Sequence, residues 1–272
     1  MELNLIHPWK RLDNYLARRG DEDAWEQEMV APFWPRLSEF APFPADYLKP
    51  PAVGWEEAGG LTGLFETMDF DGLAAEFVRI AAALPKEDDD PMTVAFYPSD
   101  NRMEEGVYGT GVWGNVVLNL NPRNPGATDW TPFVFAHEYH HNVLGFYWYC
   151  VKGGAETKGN LLEALVNEGE ADLFAQSLYP DRSPSWHRGV KPEEEAAVWR
   201  KFREALFTAG PTEEFAPYLF GDSGRGIPEN AGYHFGCRMV RSYLERNPGL
   251  GFSRLIEVPH EEIFRGSDLA ET

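Results

Sequence analysis

Cysteine is scarce in this chain. Its 272 residues include two, Cys150 and Cys237, too few for a disulfide scaffold. Both lie in apolar stretches with helical spacing, so two reduced, buried thiols are expected. Basic residues are also few: 24 Lys and Arg stand against 44 Asp and Glu, for a net charge of −20. No basic stripe exists to receive a nucleic acid, and the charge balance favours neutral or basic peptides as partners. The longest apolar runs are broken by histidines or by charges, which leaves no membrane span. The first ten residues, M-E-L-N-L-I-H-P-W-K, lack a signal-peptide layout. Repeats and low-complexity tracts are missing. These absences together point to a cytoplasmic protein with no membrane association.

Hydrophobic residues make up 43% and aromatics 14% of the chain, enough for a sizeable core in one large domain or two lobes. Residues 1–90 read as a mainly helical segment, with helices over Trp9–Arg19, Asp23–Val30 and Phe70–Leu84, chopped between by prolines 32, 35, 42, 44, 50 and 51. Residues 91–272 read as the main domain, with the first ninety residues packing on it. Thr93–Tyr97 and Val116–Leu120 have strand composition, and Gly106–Gly114 between them suits a strand edge or hairpin. Helices are expected over Phe133–Tyr149, from Leu161 to near Pro180, over Pro192–Phe207 and over Pro228–Arg246. Strands first and helices later, with no βαβ alternation, define an α+β protein with a small antiparallel or mixed sheet. Asp88-Asp89-Asp90 reads as a solvated loop and Glu193-Glu194-Glu195 as an acidic first helical turn.

The most informative stretch is His137-Glu138-Tyr139-His140-His141. It contains H-E-x-x-H, and on a helix four steps return nearly to the same face. His137 and His141 then converge on one point, as two ligands of a zinc ion do. Glu138 stands beside them, placed to act on a water at the metal. Thr131-Pro132 reads as an N-cap with proline at the first helical position, and Gly153-Gly154 as the stop. The histidines therefore lie in an apolar helix, where buried polar groups must be satisfied. His140 points to a flank and reads as a packing or supporting residue.

An open zinc site needs a third protein ligand. The extended motif H-E-x-x-H-x-x-G-x-x-H is not met, because Leu144 and Tyr147 occupy the glycine and last histidine positions. Asn160-Leu-Leu-Glu163 resembles a capping box that opens the next helix. In that helix Asn167 to Asp172 spells N-E-x-x-x-D, and Glu168 and Asp172 share one face. Glu168 is the expected ligand. Asp172, with Asn167 beside Glu168, is expected to support the site by accepting a hydrogen bond from a ligand imidazole. Asp172 as the ligand itself is the alternative. Glu163 is occupied at the helix start, and Glu170 falls on the opposite, solvated face.

H-E-x-x-H followed by a helix with N-E-x-x-x-D resembles the gluzincins, the thermolysin-like zinc peptidases. F-A-H-E-Y-H-H, N-E-G-E-A-D and the C-terminal G-Y-H-F-G and V-R-S-Y-L are similar to a narrower group, the YjaZ-like predicted zinc-dependent proteases, over about Thr93 to Leu250. The resemblance implies a gluzincin-like (zincin) fold with its metal site in a cleft, a Zn2+ cofactor and a peptide or protein substrate. It also implies an edge strand that pairs with extended substrate, placed near Trp113, Gly114, Asn115 and Val116. Tyr233 and His234 are the candidates for steadying the oxyanion. In this reading zinc lowers the pKa of its water, and Glu138 moves the proton to the leaving amine. One alternative is a different zinc amidohydrolase, such as a deformylase with a cysteine ligand from a nearby loop, where neither cysteine lies. The other is a non-catalytic metal-stabilised binding or regulatory module, against which the intact Glu138 argues.

Overall fold

The structure, a computed structural model, describes residues 2–42, 44–86, 90–153, 159–210 and 214–272. Asp88, Asp89 and Gly154, singled out above, lie outside the described residues. The chain is α+β, with a mixed four-stranded sheet and many helices. It divides into two units, Met1–Phe146 and Tyr147–Thr272.

The first unit holds the sheet. Its strands are β1 (Leu3–Ile6), β2 (Met92–Pro98), β3 (Val107–Val112) and β4 (Asn115–Leu120), in the order β1-β2-β4-β3. β1 runs parallel to β2 and β2 to β4, while β3 is antiparallel to β4. The sheet is thus mixed, one of the two arrangements expected. Sequence spacing misses β1 because four residues are too few to show a period. Every residue of β2 and of β4 is buried, which explains their continuous apolar character. β3 joins β4 through Trp113 and Gly114, with φ of 38° and 93°. Two positive φ values are what a two-residue hairpin turn matching strand twist requires.

Two long helices belong to this unit: α1 (Phe70–Ala83) and α2 (Ala127–Gly145). Asp69 caps α1, its Oδ1 accepting from Gly72 N at 2.9 Å. The rings of Phe77 on α1 and Phe135 on α2 stack with centroids 3.9 Å apart. Burying one such ring contributes roughly 1.5–3 kcal/mol. α2 starts earlier than expected, with Pro132 inside it and Thr131 Oγ1 donating to Ala127 O at 2.7 Å rather than capping the helix. The start is set upstream, where Asn124 Oδ1 accepts from Gly126 N at 2.8 Å. Pro132 removes one intrahelical bond near the N-terminus. After Gly145 the winding loosens to a π-type turn, Phe146–Val151.

Asn142 on α2 fastens the hairpin to the helix. Its Oδ1 accepts from Gly114 N at 2.7 Å, and its Nδ2 donates to Asn115 O at 3.2 Å and to Glu138 O at 3.0 Å. The residue is buried, so each of these bonds replaces water that has been excluded.

The second unit is helical around α3 (Leu161–Leu178), α4 (Glu195–Ala205) and α5 (Ala231–Arg246). Asn160 caps α3 as expected, accepting from Glu163 N at 2.9 Å. Its core includes Leu165, Phe202, Phe235 and Met239, each fully buried. α3 and α5 cross at Gly169 and Gly236. A Cβ on Gly236 would stand 3.1 Å from Gly169 N, and one on Gly169 would stand 2.8 Å from Cys237 N. Glycine on both helices is what allows this backbone approach. Glu170 on α3, expected in solvent, is fully buried. Burial alone pushes its carboxyl up to about 8, because the charged form loses its hydration. Cys237 is buried as expected, whereas Cys150 is exposed. Among the described residues no helix is long and apolar enough to cross a membrane.

Asn142→Ala is expected to destabilise the protein by about 1–3 kcal/mol, because it removes three side-chain hydrogen bonds and leaves the Gly114 amide without its Asn142 acceptor. Urea denaturation of wild type and variant checks this. A change below roughly 0.5 kcal/mol, the range of an ordinary surface substitution, would remove Asn142 from its clamping role.

Candidate metal centre

α2 carries His137, Glu138 and His141 on successive turns in the first unit. His137 and Glu138 are 7% and 8% exposed. The two Nε2 atoms face each other at 3.0 Å, with ring planes at 82°. Two nitrogens bound to one tetrahedral zinc at 2.0–2.1 Å would be roughly 3.3 Å apart. The pair is thus spaced and aimed as a two-point ligand, and the donor set fits a zinc ion. His140, on the flank, is fully buried, and its pKa falls well below the usual value through desolvation, with its two neighbouring histidines adding to the effect.

Glu138 is held by the end strand of the sheet. A Cβ on Gly109 would come within 2.8 Å of its Cδ and Oε1, and one on Gly111 within 3.5 Å of its Oε2. Gly109 and Gly111 lie two apart on β3 and so share a face. They form a side-chain-free trough in which the carboxylate rests. Asn142 bonds the Glu138 carbonyl at the next turn. The sequence marks these glycines only as part of a strand edge or hairpin, and no motif marks Asn142, although it follows His141 directly.

The strand near the motif is not the one expected. β4 is hydrogen-bonded on one side by β2 and on the other by β3, so Asn115 and Val116 are interior to the sheet. Asn115 is a clasp: Oδ1 accepts from Thr93 N at 2.8 Å, and Nδ2 donates to Leu37 O at 2.9 Å. Trp113 and Gly114 are the hairpin turn. The end strand beside the motif is β3, β1 being the other end of the sheet. Strand order depends on pairing across the sheet, which local composition does not report.

The remaining residues lie in the second unit. Glu168 sits on α3, preceded by Asn167, whose Oδ1 is buried with no hydrogen-bond partner among the described residues. Asp172, one turn beyond Glu168, is fully buried. It does meet an imidazole, that of His187, Nε2 to Oδ2 at 2.8 Å, and it accepts from Trp186 Nε1 at 3.0 Å. His187 lies in a short 3-10 turn, Ser185–Arg188, and no local motif marks it. Tyr233 and His234 open α5. Tyr233 lies beside Phe220, with centroids 6.1 Å apart. His234 Nε2 is 2.7 Å from Glu195 Oε1, in a network with Arg238 and Asp268.

The chain matches the family described as "Predicted Zn-dependent protease (DUF2268)" over residues 80–265, and it belongs to that family. The matched span includes H-E-x-x-H, Glu168 and α5. The chain is also similar to the "Uncharacterized protein YjfC" of Bacillus subtilis (strain 168), at 28% identity over 160 residues. That alignment spans 55% of this chain and 52% of the relative, about half of each. No solved structure matches the chain.

Gly109→Ala is expected to lower stability by about 1–3 kcal/mol, since the added methyl meets the Glu138 side chain in a packed site. Adding Glu138→Ala removes the clash, so the double variant should recover most of that loss in a denaturation cycle. Strictly additive effects would show that Gly109 is not spaced to seat the carboxylate.

Proposed function

We propose that the protein is a zinc peptidase whose ion is held by His137, His141 and Glu168. The observation that carries this reading is the facing pair of Nε2 atoms at 3.0 Å beside a carboxylate seated in its own glycine trough. A structural metal site has no need of a positioned base, whereas hydrolysis does. Membership of a family described as predicted zinc-dependent proteases supports the same conclusion. A zinc ion in this ligand set would act as a Lewis acid and make a nearby water acidic near neutral pH.

The chain's own residues then have separate tasks. Glu138 takes a proton from the attacking water on one carboxylate oxygen and delivers it to the nitrogen that leaves. Gly109 and Gly111 keep that carboxylate from turning away. β3 is the strand proposed to receive an extended peptide by main-chain pairing, in place of residues 113–116. Asn167 is proposed to support Glu168. Tyr233 is proposed to donate to the oxyanion, since the His234 ring is engaged with Glu195. With a net charge of −20, the substrate is proposed to be a neutral or basic peptide rather than a nucleic acid.

Glu138→Gln is the direct test. Zinc content should stay at the wild-type level while cleavage of an unbiased peptide library falls by about 100-fold or more, the usual scale of a lost general base. Mass spectrometry of the digests, with chelator-treated wild type as the blank, gives the readout. Equal cleavage by variant and wild type would refute the role of Glu138, and a wild-type digest identical to the blank would refute the peptidase reading.

A further inference from the structure

A second group of potential ligands lies wholly within the second unit. Asp172 on α3, His187 in the 3-10 turn and Cys237 on α5 bring one donor atom each to a common point. The three separations are 2.8 Å for Asp172 Oδ2 to His187 Nε2, 3.5 Å for Cys237 Sγ to His187 Nε2 and 3.6 Å for Cys237 Sγ to Asp172 Oδ2. Around a tetrahedral zinc with ordinary bond lengths, a sulfur would lie roughly 3.5–3.6 Å from a ligand nitrogen or oxygen, and nitrogen and oxygen roughly 3.4 Å apart. Both sulfur edges already have that length. Opening the hydrogen-bonded oxygen–nitrogen edge by about half an ångström completes the triangle.

The surroundings are those of a built site. The Gly169–Gly236 crossing brings α5 against α3, which places Cys237 beside Asp172. Gly189, just past the turn, has no room for a Cβ against the Glu229 backbone, which fixes the turn against the start of α5. The indole of Trp186 hydrogen-bonds the Asp172 carboxylate, as outer partners of ligating carboxylates do. Asp172 Oδ2 is the point on which the indole, the imidazole and the thiol converge. A cation there would take Cys237 as the thiolate, its proton going to solvent.

We infer that Asp172, His187 and Cys237 form a second metal site, for a zinc-like divalent cation of borderline softness. The mixed sulfur, nitrogen and oxygen donors select that class over calcium or magnesium. The ligands come from three separate elements, so the ion cross-links the helical unit. His187, 14% exposed at its side chain, lies on the route to solvent. This site does not depend on the peptidase proposal, because none of its ligands is shared with His137, His141 and Glu168.

Cobalt substitution separates the two sites, because a thiolate ligand gives a near-ultraviolet sulfur-to-cobalt charge-transfer band and a His₂Glu set does not. The full-length protein, stripped and reloaded with Co2+, should bind about two ions per chain and show that band. Cys237→Ser should lose the band and one ion. Cys150→Ser should keep both, and His137→Ala/His141→Ala should lose one ion yet keep the band. If Cys237→Ser does not fold, as judged by circular dichroism, His187→Gln replaces it with the same expected loss of one ion. Wild-type protein that binds cobalt without a thiolate band overturns the second site and leaves the first standing. A band with a single ion that survives His137→Ala/His141→Ala supports the second site and counts against the first. A band that persists in Cys237→Ser, or through His187→Gln, also overturns the assignment.

Discussion

Two imidazoles pointed at each other inside an apolar helix are the constraint around which the first unit is arranged. His137, buried, and His141, half-buried, meet at 3.0 Å on α2. Burying such groups opposes folding unless each finds a partner. Several contacts of the unit fix α2 in place against the sheet and α1. The Phe77–Phe135 stack holds one side of the helix. Tyr139 donates from that side to Leu84 O at 2.9 Å. Asn142 fastens the helix to the β3–β4 hairpin. Position along the helix then converts directly into position of His137, Glu138 and His141.

Glycine does comparable work in both units, and in each case ionisable side chains sit next to it. On β3, Gly109 and Gly111 leave the space that the Glu138 carboxylate fills. At the crossing of α3 and α5, Gly169 and Gly236 let two backbones approach until Cys237 reaches Asp172. A side chain at any of these four positions would fill volume that a functional group or a neighbouring backbone now occupies.

Legibility from sequence follows the range of the interactions involved. H-E-x-x-H is readable because its geometry is intrahelical and repeats with the helical pitch. The start of α3 is readable because Asn160 and Glu163 satisfy each other across one turn. The start of α2 is not, since the decisive partner is Asn124, outside the helix altogether. Glu170 misleads because a polar residue on a helix normally means solvent, yet it falls on the buried part of α3. His187 escapes notice because its partner, Asp172, lies fifteen residues away in the chain. The end strand is misplaced for the same reason: Asn115 and Val116 have strand character, but only the pairing of β4 with both β2 and β3 shows them to be interior. Cys150 sits in an aromatic run that reads as core but is exposed.

Anomalous diffraction at the zinc edge, from crystals of the protein grown with stoichiometric zinc, addresses the metal centre most directly. A peak bonded to Nε2 of both His137 and His141 and to the Glu168 carboxylate, with one coordination position left to solvent, is the expected result. A peak elsewhere with those imidazoles unbound, or a fourth protein atom closing the coordination sphere, would contradict it.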